Sequence, residues 1–335
     1  MSNIIITDTT LRDGSHSVRH QFSVEDTRRI VEALDEAQID IIEVGHGDGL
    51  AGSTCNYGFS AAPEIEAVRA AAQAAKRAKI AVLLLPGIGT VPDLVQAREA
   101  GATVVRVATH VTEADISHEH ISEAKKMGFF VVGFLMMAHR GSATRVLEEA
   151  KKMASYGADV VYATDSAGAL LPDGVRERIG ILHEHLSVPI GFHSHNNLGL
   201  AIGNSLAAID AGATYIDGSL GGLGAGAGNT ATEMLVAVLE RAGVNKKADL
   251  FKSIDACVQV LHPVLERHGV RLPAIQDPMM LGFAGVYSSF MLHAKRAAKR
   301  FGVDYRSIII EAGRREAVGG QEDWLYEIAR ELAVQ

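Results

Sequence analysis

The chain has 335 residues, 47% of them hydrophobic and 21% charged, which supports a large buried core. That length accommodates one barrel-sized domain with an appendage, or two ordinary domains. Lys plus Arg number 32 against 40 Asp plus Glu, a net charge of −8 without a basic cluster, which argues against nucleic acid as a partner.

From the N-terminus, Met1 to Thr10 shows no basic segment leading into a long apolar one, so no secretory signal is expected and the chain reads as cytoplasmic. Short β-branched runs begin near Ile4, Ile39, Ile80, Val104, Phe129, Val160, Pro189 and Tyr215, separated by amphipathic helical stretches. The first such helix, Val24 to Ala37, follows a candidate cap at Ser23 with Asp26 three residues on. Gly101-Ala102-Thr103, Gly157-Ala158-Asp159 and Gly212-Ala213-Thr214 repeat one junction: a left-handed glycine ends a helix and a strand follows. Eight βα units in this span predict an α/β fold of the (β/α)8 TIM barrel type. A doubly wound sheet would need a glycine-rich phosphate turn after the first strand, and Asp8 to Gly14 is nothing like one.

Beyond about Val244 the strands stop. The reading is a catalytic barrel over residues 1–245 and a helical C-terminal extension over 246–335. Ile254, Cys257, Val258, Leu261, Leu265 and His268 keep helical spacing, with Pro263 expected to kink or end that helix. Phe283, Val286, Tyr287, Phe290, Met291 and Ala294 repeat the spacing, as do Leu325, Ile328, Ala329 and Leu332. Met279, Met280 and Met291 suit packing better than a cofactor box. No apolar run approaches the ~20 residues that cross a bilayer, so no membrane is expected. Cys55 and Cys257 are too few for a disulfide framework or a thiolate cluster.

Chemistry in such a barrel sits at the C-terminal ends of the strands. Strand one leads into Arg12, Asp13 and His16; strand two ends at Glu43 and His46; strand six ends at Asp165-Ser166. Strand seven carries Phe192-His193-Ser194-His195, whose two imidazoles project to one face. Those histidines, with Asp13 from the neighbouring rim, make a candidate divalent-metal site; Asp165 is a rival carboxylate or a loop anchor. Arg12 suits a keto acid carboxylate or enolate, or an ion pair with Asp8, Glu43 or Asp165. His16 is the candidate general base, and His20, further along the loop, is expected to be solvated. The run from Gly221 to Asn229 would either cradle a phosphate or, more in keeping with its small residues, pack close to the metal site, with Asn229 capping the last barrel helix. No lysine falls at a strand's C-terminal end, which excludes a Schiff-base aldolase.

Thr9-Thr10-Leu11-Arg12-Asp13-Gly14 and Phe192-His193-Ser194-His195-Asn196 resemble the pyruvate-metabolising lyase superfamily of isopropylmalate synthase and HMG-CoA lyase. Within it, Leu11 to His16, Val82 to Gly89 and Val318 to Asp323 resemble the 4-hydroxy-2-oxovalerate aldolases, and the similarity runs the whole chain. The loop from Gly221 to Asn229 has neither the cysteine of HMG-CoA lyase nor the charged pair of isopropylmalate synthase, which disfavours the alternative of acyl-CoA condensation. A non-catalytic scaffold is disfavoured by the complete Arg12, Asp13, His16, His193, His195 set.

The resemblance implies a divalent-metal aldolase, usually manganese, that cleaves 4-hydroxy-2-oxopentanoate to pyruvate and acetaldehyde. It makes Asp13, His193 and His195 the ligands, His16 the base and Arg12 the stabiliser of the enolate. It places Tyr287 near the aldehyde end, with Ser166 and His193 among the substrate contacts, and Leu83 and Leu85 shaping the alkyl pocket. It also implies that the extension docks an acylating acetaldehyde dehydrogenase, with Gly319 and Gly320 along the route by which the aldehyde is passed on.

Overall fold

A computed structural model describes residues 3–270, 280–282 and 284–334. Eight parallel strands close into a barrel in sequence order: β1 Ile5–Leu11, β2 Ile41–Val44, β3 Lys79–Leu84, β4 Val104–His110, β5 Phe130–Met136, β6 Val160–Asp165, β7 Ile190–Ser194 and β8 Tyr215–Gly218. The ring shuts by pairing β8 with β1, Thr7 lying opposite Asp217. The (β/α)8 TIM barrel expected from the alternating pattern is therefore the fold.

Local chemistry explains the register. α1, Val24–Glu36, starts with a reciprocal cap: Ser23 Oγ accepts the Asp26 N–H at 3.1 Å, and Asp26 accepts the Ser23 N–H at 3.1 Å. Gly101, Gly157 and Gly212 have φ of +109°, +112° and +109°, a region where a Cβ is strained, so glycine turns each helix into the next strand.

Alternation along the strands sorts side chains into two cores. Outward residues such as Ile6, Ile42, Val82 and Val161 pack beneath the helices. Inward residues such as Ile41, Leu83, Val132, Phe134 and Tyr162 fill the barrel. The same inward parity carries Glu43, Arg106, His193 and Asp217, all buried. Charge therefore runs through the centre of this barrel, not only around its rim.

The last barrel helix, α8 (Thr232–Arg241), leads to α9 (Leu250–Asp255), a π-helical turn (Ala256–Leu261) and α10 (His262–Arg267). Helix continues through Pro263 to Arg267, so the proline does not end it. The wider turn before it accommodates a ring that would clash in an unbroken α-helix. Cys257, Leu261 and Val264 belong to the barrel's outer core. A second core gathers Leu281, Val286, Phe290, Ile308, Leu325 and Ile328 from the helices Phe290–Phe301, Tyr305–Arg314 and Trp324–Leu332 and the segment before them. Met280 and Met291 pack against it; Met279 and Phe283 lie outside the described residues. No helix among the described residues is long and apolar enough to cross a membrane.

The second core meets the barrel at the β5 and β6 ends. The His139 Nε2 lies 3.0 Å from the Gly285 carbonyl, and Arg140 Nη1 donates to the Gly313 carbonyl at 3.3 Å.

Inside the barrel, Gly191 makes room for the buried Tyr162 ring; a Cβ there would stand 2.2 Å from the nearest ring carbon. Gly191→Ala should therefore cost about 1–3 kcal/mol through overpacking. The expected readout is a lower thermal midpoint; an unchanged midpoint would mean the ring can move aside.

Candidate active site and metal centre

After β1 the chain turns through a 3-10 segment, Asp13–Val18, that brings Asp13 and His16 to one side, His16 Nε2 lying 3.9 Å from Asp13 Oδ1. β7 presents His193 and His195 to the same carboxylate. Asp13 Oδ2 is 3.8 Å from His193 Nε2 and 3.7 Å from His195 Nε2. Separations of that size suit donors each about 2.1 Å from one shared ion.

The far side of each imidazole is spoken for. His193 Nδ1 is 2.7 Å from Asp217 Oδ2, and His195 Nδ1 is 3.3 Å from the Ala225 carbonyl. An N–H at each Nδ1 leaves both Nε2 lone pairs facing Asp13, the arrangement typical of metal-binding histidines. Burial holds the His195 pKa down to about 4 against the opposing pull of Asp13, so its ring is neutral. Burial would raise the Asp13 pKa, but Arg12, His195, His16 and His193 outweigh it and hold the carboxyl well below its usual range. One carboxylate and two imidazole Nε2 atoms fit a divalent cation.

Arg12 is held in place by three contacts. Its Nε donates to Glu43 Oε2 at 2.8 Å, and its Nη1 lies 3.2 Å from Asp13 Oδ1 and 3.4 Å from the Gly47 carbonyl. Neither of the other candidate partners pairs with it. Asp8 accepts the Thr10 N–H at 2.9 Å and the Thr232 hydroxyl at 2.6 Å. Asp165 accepts the Ala169 and Leu170 N–H groups, both at 3.0 Å, and so anchors its own loop. Burial pushes both of these carboxyls up to about 6.

Two expectations about neighbouring residues are corrected. His20 is buried, not solvated: its ring stacks on His46 at 3.7 Å, and its Nδ1 lies 3.1 Å from Ser15 Oγ. Burial, then the nearby His16 and His46, hold its pKa down to about 3. The donor atoms of His16, His20 and Asp48 also lie within 4.8 Å of one another. Asn229 is not the cap of α8, whose first turn follows Ala231. Its Nδ2 donates instead to Asp13 Oδ2 at 2.5 Å and to the Leu223 carbonyl at 3.0 Å.

The glycine run packs close, as its small residues suggested. Its N–H groups turn inward: Gly221 to Glu233, Gly224 to Ser17, Ala227 to Asn197 and Asn229 to the Gly222 carbonyl. Those donors are not offered to a phosphate.

Leu83 is buried inside the barrel and Leu85 packs partly against it. Ser166 Oγ accepts the Met137 N–H at 3.0 Å. Tyr287 is partly buried, and burial, reinforced by Glu113, raises its pKa, so the phenol stays neutral. A Cβ at Gly319 would lie 3.8 Å from its ring, whereas one at Gly320 would meet nothing within 4 Å, so Gly319 alone lies against that tyrosine.

Arg106 and Asp217 escape a census of strand ends because they lie within β4 and β8. Arg106 Nη1 donates to Glu43 Oε2 at 3.0 Å, and its Nη2 pairs with Asp217 Oδ2. Each strand has a charged residue inside an apolar run, and parity marks both as inward.

Comparison with known proteins bears on the whole chain. Residues 3–260 match the HMGL-like family, and residues 274–334 match the DmpG-like communication domain. A 4-hydroxy-2-oxovalerate aldolase of Geobacillus thermodenitrificans is 56% identical over 99% of this chain and 96% of its own. One from Pelotomaculum thermopropionicum is 57% identical over 98% of this chain and 96% of its own. The carboxyl transferase domain of Rhizobium etli pyruvate carboxylase is alike in fold, with a TM-score of 0.81 at 16% identity over 100% of this chain and 61% of its own.

If Asp217 fixes the His193 ring, Asp217→Asn should weaken Mn2+ binding by ~10–100-fold. Calorimetric titration of the folded variant checks this, and wild-type affinity would remove Asp217 from the metal centre.

Proposed function

We infer the reaction from one premise: the chain belongs to the HMGL-like family and, within it, to the 4-hydroxy-2-oxovalerate aldolases, which are lyases. The reading is retro-aldol cleavage of 4-hydroxy-2-oxopentanoate and of close homologues that differ by a methylene at the alkyl end. The observation that supports it is the convergence of Asp13, His193 and His195 beside Arg12 and His16.

Asp13, His193 and His195 would hold a divalent cation, Mn2+ in this reading. When bound, it supplies Lewis-acid stabilisation of developing oxygen charge. Arg12, steadied by Glu43, would bind the keto acid and stabilise the enolate with its guanidinium. His16 takes the C4 hydroxyl proton, the C4 oxygen becomes the aldehyde carbonyl, and the C3–C4 electron pair passes into the pyruvate enolate. Protonation at C3 then yields pyruvate. Leu83 and Leu85 would receive the aldehyde's alkyl group, Tyr287 would contact its oxygen end, and Ser166 and His193 would border the keto acid. Every lysine lies in a helix, a loop or at the first residue of β3, so the chain offers no Schiff-base amine at the barrel mouth.

The DmpG-like communication domain suggests a dehydrogenase partner, and we take it to be an acylating acetaldehyde dehydrogenase. In this reading the partner-facing part lies within the extension read from residue 246 onward, and the packing of Leu261 and Val264 with the barrel's core favours the helices after α10 for that role. Gly319 and Gly320 would border the aldehyde's exit.

Pyruvate release from 4-hydroxy-2-oxopentanoate should vanish on chelation and return with Mn2+. Activity indifferent to chelation would sink the metal reading. His16→Ala should lower kcat by ~10²–10⁴-fold with Mn2+ binding kept; a retained rate would pass the base role elsewhere. Gly319→Leu should reduce coupled aldehyde flux to the dehydrogenase while sparing pyruvate release. Equal losses in both assays would contradict a route past Gly319.

A further inference from the structure

Glu43 and Asp217 each use one carboxylate oxygen to serve two nitrogen groups. Glu43 Oε2 receives Arg12 Nε at 2.8 Å and Arg106 Nη1 at 3.0 Å. Asp217 Oδ2 receives Arg106 Nη2 and lies 2.7 Å from His193 Nδ1. Among the described residues Arg106 is thus the cation that joins the arginine of the candidate substrate site to a histidine of the candidate metal site. It has 1% of its surface exposed, and its guanidinium carbon sits 4.4 Å above the Phe134 ring and 4.9 Å from that of Tyr162.

We propose that Arg106 is a positioning residue that sets keto acid binding and metal binding together, through Glu43 to Arg12 and through Asp217 to His193. The inference rests on the aldolase reading of the site. Its physical basis is the guanidinium fork: two nitrogens at fixed spacing satisfy two carboxylates from different strands, with aromatic faces holding the plane between them. An ammonium is one point charge and cannot hold both oxygens in that geometry. With the fork lost, Glu43 is free to move toward Arg12, and Asp217 no longer presents a fixed acceptor to His193. Arg106 touches neither substrate nor metal in this arrangement, so its effects must arrive through both partners at once.

The test is Arg106→Lys in the full chain, with Mn2+ binding followed by calorimetry and steady-state kinetics measured at saturating Mn2+. The expected result is a folded protein whose Mn2+ affinity falls ~10–100-fold. Its KM for 4-hydroxy-2-oxopentanoate should rise about tenfold or more. A folded variant in which either quantity stays at the wild-type value overturns the proposal. If Arg106→Lys does not fold, Arg106→Gln is put through the same two measurements. Loss of Mn2+ affinity together with a raised KM supports transmission through Arg106. A folded variant that keeps the wild-type value of either quantity refutes it. Wild-type protein that bound no Mn2+ would instead count against the aldolase reading itself, so the two failures are distinguishable.

Discussion

Charge buried inside a barrel must be neutralised where it stands, because water is absent and an unpaired ion there costs several kcal/mol. In this chain the requirement is met by alternation: Arg12, Glu43, Arg106, Asp217 and His193 follow one another through contacts of hydrogen-bond length. Glu43, Arg106 and Asp217 come from β2, β4 and β8, so the chain of contacts crosses the barrel instead of following one wall. Removing a single member would strand its neighbours. The aromatic rings of Phe134 and Tyr162 complete the setting by lying against Arg106, offering their faces where no further carboxylate is available.

Closure of the sheet is what brings the candidate site residues together. Asp13 follows the first strand, His193 lies on the seventh and His195 just after it, far apart in sequence but separated by one strand in space. Thr7 opposite Asp217, and Phe192 opposite Ile216, set the heights of the three strands relative to one another. Asn229 then bridges from the loop after β8 to Asp13, and the glycine run supplies the Ala225 carbonyl that orients His195. Small residues are needed there for a steric reason. A Cβ on Gly224 would stand 2.5 Å from the Asn229 amide, and one on Gly226 would stand 2.5 Å from Asn197 Oδ1.

Much of this was legible in sequence where a short-range rule applied. Strand starts, the Ser23–Asp26 cap and the left-handed glycines depend on neighbours within a few residues. The rim set was legible too, because Asp13, His16, His193 and His195 fall where barrel strands end. The interior pairs were harder. Arg106 in Val104–His110 and Asp217 in Tyr215–Gly218 read as single polar interruptions of strands, and only the closed barrel tells which residues face them. His20 illustrates the opposite error: four residues after His16 in a polar loop, it looked solvated, but the loop folds back and stacks it on His46. Asn229 precedes a helix closely enough to suggest a cap, yet it serves a carboxylate 216 residues away in sequence.

The extension is tied to the catalytic end of the barrel by the same economy of small residues and buried donors. Within the extension a Cβ on Gly313 would stand 2.1 Å from the Ala284 carbonyl oxygen, and across to the barrel one on Gly282 would stand 2.8 Å from Asn197 Cβ. Backbones therefore approach directly, and side chains of the barrel reach across to carbonyls of the extension, His139 to Gly285 and Arg140 to Gly313. Asn197 is the common element: its Cβ packs against Gly282, while its Oδ1 accepts the Ala227 N–H and its Nδ2 donates to the Ala167 carbonyl. One asparagine, two residues after His195, thus touches the glycine loop, the segment after β6 and the extension.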